Sequence, residues 1–242
     1  MNQIVTCILL LLSLFGTFSK YVYIKEHKSW NEAQSFCREH HTDLASVSNE
    51  QDNLKLGKLG NSNVRIWIGL KKNSSESQKW MWSGGTEVSS FFWASGQPDN
   101  WPEEVYGVIY NSKWRDYPDS RLHFFCYSAE VVREEKTWEE ALEYCRKHHN
   151  NLASVASETE MMLIQKELKK HITTEHIWIG LHFLAGNWLW VDGQEMGYKA
   201  WSEGRKPSCP HGKMECAALQ MTRSNNVWEA RDCEERLSFI CY

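Results

Sequence analysis

Cysteines, paired histidines and two adjacent glutamates are the residues of this 242-residue chain whose types and spacing invite chemistry. Thiolates can be nucleophiles or metal ligands, but in an oxidising compartment cysteines pair with one another. His40-His41 and His148-His149 would need further ligands nearby to hold a metal, and the sequence offers none. They read instead as imidazoles at the polar ends of helices. Glu103 and Glu104 are sequence neighbours, not carboxylates set across a cleft, so glycosidase chemistry has no support. No nucleophile elbow, glycine-rich phosphate loop or HExxH occurs. This is the pattern of a binding protein, not an enzyme.

The elements that must position these residues are written twice. SWNEAQSFCREHHTDLASV starts at Ser29 and TWEEALEYCRKHHNNLASV at Thr137. After each come a WIGL run (Trp67 to Leu70, Trp178 to Leu181), a Trp-x-Trp (Trp80/Trp82, Trp188/Trp190) and an aromatic end, FFCY at Phe124 and FICY at Phe239. The offset is 108 residues at Cys37/Cys145 and 115 at Cys126/Cys241, which confines the length difference to loops. Units of about 110 residues are the size of independent domains, whereas solenoid repeats run at roughly 20 to 50. Residues 20–127 and 128–242 are therefore read as two domains. Twelve of the 13 tryptophans pair across the repeat, as packing residues of a shared core do. Trp101 alone has no counterpart.

Residues 4 to 18 are largely apolar and too short to cross a bilayer, and small residues stand at Thr17 and Ser19. That predicts a signal peptide over 1–19, cut before Lys20, and a secreted protein with no membrane span. The net charge of −4 lies in residues 128–242, while 20–127 are neutral. No basic field exists to attract nucleic acid. The acidic run Glu130 to Glu140 reads as the domain junction and a solvated first helical turn. With Cys7 removed, the repeat pairs Cys37 with Cys126 and Cys145 with Cys241. Closing loops of about 90 residues stabilises by roughly 4–5 kcal/mol each through chain entropy. Cys216 and Cys233 form a shorter bridge in the second copy, where the first has Asp119 at one end and falls near Val105 at the other. Cys209 is left over, as a free thiol, a competitor for Cys233, or the link of a disulfide-bonded dimer. Asn73-Ser74-Ser75 is a glycosylation sequon in a polar turn.

Each copy opens on a β-type run, clear at Tyr21 to Ile24 and weaker at Val131 to Val132. Capping boxes at Ser29-x-x-Glu32 and Thr137-x-x-Glu140 start a first helix, with Trp30, Ala33 and Cys37 (and Trp138, Ala141 and Cys145) on one inward stripe. A second helix starts at Ser48-x-x-Gln51 and at Ser157-x-x-Glu160. From WIGL onward, short aromatic strands alternate with turns. The polar stretch between Trp93 and Trp114, broken by Pro98 and Pro102, reads as an ordered binding loop. The fold class is α+β: in each domain, two helices beside small antiparallel sheets, with a long loop region.

The WIGL runs, the Trp-x-Trp, the first-to-last cysteine bridge, and Gln97-Pro98-Asp99 ahead of Trp114-x-Asp116 together resemble the C-type lectin-like domain, in tandem over the whole mature chain. The layout is similar to secreted two-domain lectins and to modules of the macrophage mannose receptor. That resemblance implies a calcium ion held by side-chain oxygens flanking a cis proline, here Gln97 and Asp99. A downstream carboxylate, Glu103 or Glu104, and Asp116 would complete the set, and two sugar hydroxyls finish the shell. In the family, the QPD order goes with galactose-type sugars. Trp101 falls where galactose-binding members stack a ring on the sugar. The sugar-binding set implied is Gln97, Asp99, Trp101, Glu103 and Asp116.

Arg115 departs from the family's asparagine. It has no acceptor, and its permanent charge, pointing inward, would repel a cation. In the second copy, Lys206-Pro207-Ser208 and Trp228-Glu229-Ala230 replace the calcium motifs, which implies a module that contacts protein or supports the first. Two readings follow: calcium-dependent recognition of galactose-type glycans or glycoproteins by the first domain, or a calcium-independent adhesion module that binds a protein ligand with the same loops.

Overall fold

The protein is described from a computed structural model covering residues 20–61, 63–76, 79–171, 175–202, 214–221 and 227–242. Residues 1–19, expected to be a signal peptide, Lys206-Pro207-Ser208 and Cys209 lie outside the described residues.

In the first half the order is β1 (Tyr21–Lys28), α1 (Trp30–His40), β2 (Asp43–Leu44), α2 (Glu50–Leu59), β3 (Ile66–Lys72), β4 (Trp80–Trp82), β5 (Glu104–Tyr110), β6 (Lys113–Pro118) and β7 (Leu122–Tyr127). The second half holds β8 (Glu130–Lys136), α3 (Trp138–His148), α4 (Glu158–His171), β9 (His176–Leu184), β10 (Asn187–Trp190), β11 (Cys216–Gln220), β12 (Val227–Arg231) and β13 (Leu237–Cys241). The first sheet runs β1-β7-β3-β5-β6, with β2 on β7 and β4 on β3; the second runs β12-β11-β9-β13-β8, with β10 on β9. Both are antiparallel except where the WIGL strand meets the last strand, β3 on β7 and β9 on β13. The fold is α+β, with two helices beside each sheet.

Local sequence explains the repeated motifs. Both first helices close the expected capping boxes, Ser29 with Glu32 and Thr137 with Glu140. Their tryptophans are buried and donate from the indole to equivalent strand carbonyls: Trp30 to Ile68 and Trp138 to Ile179, each at 2.9 Å. The WIGL tryptophans likewise reach the end of the first strand, Trp67 to Lys28 O and Trp178 to Lys136 O. The WIGL glycine has its own cause. At Gly180 an added Cβ would come within 2.6 Å of Leu152 O, because the Leu-Ala-Ser segment crosses there and Ala153 O accepts from Gly180 N. Ten of the paired tryptophans are buried, and Trp93 and Trp201 pack partly buried against the core. Three disulfides join Cys37 to Cys126, Cys145 to Cys241 and Cys216 to Cys233. Where the first half lacks the third, Asp119 Oδ1 accepts from Trp30 N, the task Cys233 O performs for Trp138 N.

Three local expectations are revised. The cap of α2 is Asn49, not Ser48: the Asn49 side chain accepts from Asp52 N, and Ser48 Oγ turns to Ser157 Oγ of the other half at 2.8 Å. The stretch from Glu130 is a seven-residue strand because its backbone pairs with β13 from Glu130 to Lys136, with Val132 buried. About a third of the Trp93–Trp114 segment is strand, β5, leaving a shorter loop at 94–103.

The halves pack through the starts of their second helices and the ends of their last strands, where Tyr127 and its repeat counterpart Tyr242 meet. Ser48 meets Ser157, and Tyr127 Oη lies 3.2 Å from Tyr242 Oη. Thr86 pairs with Thr159 at 2.6 Å, and Lys166 Nζ donates to Gly84 O. At the centre, Lys20 Nζ sits 2.6 Å from Asp52 Oδ2 and 2.5 Å from Glu160 Oε1, with all three side chains buried. Tyr21 Oη also donates to Asp52. Burial opposes the Lys20 charge, but Glu160 and Asp52 outweigh it and hold its pKa well above the ordinary lysine range. Asp52 is pulled down by Lys20 against its own burial, whereas burial prevails at Glu160 and pushes it up.

Candidate functional site

The loop 94–103 hangs between two fixed points. Trp93 bridges Trp114 at its start, where Ala94 N donates to Trp114 O, and β5 begins at its end. The Gln97-Pro98 peptide is cis. Asn100 takes a left-handed backbone (φ 61°), which asparagine tolerates, and its side chain donates to Pro98 O. The buried Asp116 on β6 anchors the turn by accepting from Asp99 N at 3.2 Å and Asn100 N at 2.9 Å.

This folding brings three carboxylates together. Oxygens of Asp99, Glu104 and Asp116 lie within 4.8 Å of one another. Glu104 Oε2 is buried with no hydrogen-bond donor. Its neighbour is the Asp99 carboxylate, another acceptor, so only a proton or a cation can reconcile them. Burial first, then Asp99, pushes the Glu104 carboxyl up to about 7. Asp99 is exposed, and hydrogen bonding with Glu104, with smaller help from Gln97, holds it below its ordinary range. Buried carboxylate oxygens lacking donors suit a hard, oxygen-seeking cation, so these residues fit calcium. Glu103 stays outside: it is exposed in the turn, where its carbonyl accepts from Val105 N.

Arg115 does not enter this cluster. It pairs with Val108 across β5–β6, one residue out of phase with Asp116, and so faces the other side of the sheet. Its guanidinium lies 5.3 Å from the Tyr110 ring centroid. The cation that does approach is one the sequence did not flag. Lys72 Nζ, at the end of β3, stands 3.8 Å from Asp116 Oδ2 and 5.3 Å from the Trp80 ring centroid. Only the β3–β4 register, with Lys72 opposite Trp80, turns it there. Trp101 is 63% exposed. It lines an open pocket of about 410 Å³ with Lys72, Asn73, Asn100, Pro102 and Val105, so the sequon asparagine shares its pocket.

Residues 26–127 and 134–242 each match the Lectin C-type domain. The chain belongs to that family. Among curated relatives, this C-type lectin domain protein is 25% identical over 252 residues to C-type mannose receptor 2 of Rattus norvegicus and 24% over 259 residues to the secretory phospholipase A2 receptor of Bos taurus. Each alignment covers 88% of the chain but 17% of the relative's length, so the chain spans about a sixth of these proteins. Of solved structures, human lithostathine (23% identical, TM-score 0.42) covers 46% of the chain and 93% of its own. The carbohydrate-recognition domain of mouse scavenger receptor C-type lectin (24%, TM-score 0.41) covers 47% and 95%.

The second lectin domain match carries no equivalent cluster among the described residues. Ala230 is buried on β12 where the first half has Asp116, and Glu229 is taken up by His176 Nε2 at 2.9 Å and Arg231. His182 converges with Cys216 and Cys233, but their sulfurs are bonded to each other and offer no thiolate. No described helix is long and apolar enough to cross a membrane.

Proposed function

We propose that the chain is a secreted, non-enzymatic lectin whose first domain, residues 20–127, binds galactose-type glycans through calcium, with residues 128–242 as a supporting domain. The observation that carries this reading is the convergence of Asp99, Glu104 and Asp116, with one buried oxygen lacking a donor, beside an exposed Trp101. Gln97, Asp99, Glu104 and Asp116 would hold the ion. When bound, calcium offers open coordination positions to vicinal sugar hydroxyls. Asp99 and Gln97 then present an acceptor and an amide to those hydroxyls. Trp101 supplies a flat apolar face to the pyranose, and Asp116 keeps the loop in register through the two backbone donors. The QPD order supports galactose-type preference through the family resemblance.

The test is retention of the full chain on immobilised galactose and its release by a chelator. Retention indifferent to chelator, or no retention, would leave the calcium-independent protein-binding reading instead. Trp101→Ala is expected to weaken sugar binding by ~1–3 kcal/mol, the scale of a lost aromatic stack; unchanged affinity would reduce Trp101 to packing. Lys72→Met removes a positive charge from beside Asp116 and is expected to tighten calcium binding roughly tenfold by calorimetric titration. Equal or weaker calcium binding by that variant would mean that the ammonium does not oppose the ion.

A further inference from the structure

Six of the described arginines fall into two groups by what they touch. Arg38, Arg121, Arg231 and Arg236 each reach a carboxylate. Arg65 and Arg115 reach none among the described residues, and both lie against tyrosine rings. The Arg65 guanidinium sits 5.1 Å from the Tyr117 centroid and 5.5 Å from that of Tyr110; Arg115 sits 5.3 Å from Tyr110. The strand register gathers them. Lys113, Arg115 and Tyr117 on β6 stand opposite Tyr110, Val108 and Tyr106 on β5, all on one face, and Arg65 precedes β3 beside Tyr110. Neither the Tyr110 nor the Tyr117 hydroxyl makes a hydrogen bond with the described residues, and Arg115 Nε is buried without an acceptor. The outer edge of β5–β6 thus offers two guanidiniums, an exposed ammonium and two phenols. All can donate, and among the described residues no carboxylate lies within ion-pair reach of the three cations.

We infer that this edge is a second ligand site, for a sulfate ester carried on a saccharide. Two planar guanidiniums sharing one ring present forked N–H pairs that match a tetrahedral oxyanion. Being more weakly hydrated than ammonium, they give up water cheaply on binding. A free anion would use only the forks; the phenol hydroxyls and Lys113 flank them and suit the ester's sugar hydroxyls. Nucleic acid is disfavoured because the first half has no net positive charge and the second is acidic, so the positive potential is local, sized for one ester group. The site lies on the opposite face of β6 from Asp116 and owes nothing to calcium.

The test uses the full chain in the presence of a chelator, with a sulfated galactose tetrasaccharide and its unsulfated parent measured by calorimetry at two salt concentrations. The sulfated form is expected to bind and the parent not. Arg65→Gln with Arg115→Gln should weaken binding at least about tenfold. Arg121→Gln, a surface-charge control whose guanidinium pairs with Glu32, should leave it unchanged. Thermal midpoints within a few degrees of the parent's would establish that the double variant folds. If that variant unfolds, Lys113→Gln with Tyr117→Phe, which leaves both stacked guanidiniums in place, must lower affinity instead. The inference is overturned if the sulfated form does not bind, if the parent binds equally, or if folded double variant binds as well as wild type. It is also overturned if inorganic sulfate competes mole for mole with the tetrasaccharide, or if a sulfotyrosine peptide binds where the tetrasaccharide does not.

Discussion

Replacing Lys20 with methionine is expected to destabilise the full chain by about 3–5 kcal/mol, the cost of taking from two buried carboxylates the cation they share. Asp52 and Glu160 are fully buried, and Lys20 is the cation that touches both. Asp52 retains the Tyr21 hydroxyl, the Asn49 amide and, at 3.5 Å, the half-exposed Lys55 ammonium, whereas Glu160 retains only the uncharged Ala156 N. The loss should be read from denaturant unfolding with disulfides intact. Adding Asp52→Asn and Glu160→Gln to Lys20→Met should restore most of it, because neutral amides remove the stranded charge. A loss under about 1 kcal/mol for the single variant would mean that water reaches the seam. Since Lys20 and Asp52 belong to one half and Glu160 to the other, the same experiment asks whether the halves unfold together.

The second large effect discriminates between adjacent carboxylates. Glu104→Gln is expected to weaken calcium binding to the full chain about 100-fold, near 2.7 kcal/mol, while Glu103→Gln leaves it unchanged. The physical ground is position: Glu104 opens β5 with its side chain among Asp99 and Asp116, whereas Glu103 faces solvent one residue earlier. Calorimetric titration of both variants decides it. Equal losses, or a loss confined to Glu103→Gln, would remove Glu104 from the ligand set.

Much of this molecule was legible as sequence, because the repeat compares the chain with itself. A residue kept in both copies at matching positions is constrained by the common scaffold. So the paired tryptophans, the capping boxes and the Cys37–Cys126 and Cys145–Cys241 bridges followed without coordinates. Trp101 stood out by the same logic, and it is the tryptophan the core leaves exposed. The capping boxes are local physics, an oxygen and an amide three residues apart, and need no tertiary partner.

Tertiary structure decided what depends on strand register and on the contact between halves. Residues 115 and 116 differ by one position, yet the pleat sends Asp116 to the loop and Arg115 to Tyr110 on the opposite face. Lys72 meets Asp116 across 44 residues of sequence, and no periodicity within either strand announces that pairing. Lys20, Asp52 and Glu160 meet only because two halves pack, and in sequence each reads as an ordinary surface charge. Composition and short-range spacing specify the elements and their inward faces. Which charges then converge is set by register and packing, through contacts between residues far apart along the chain.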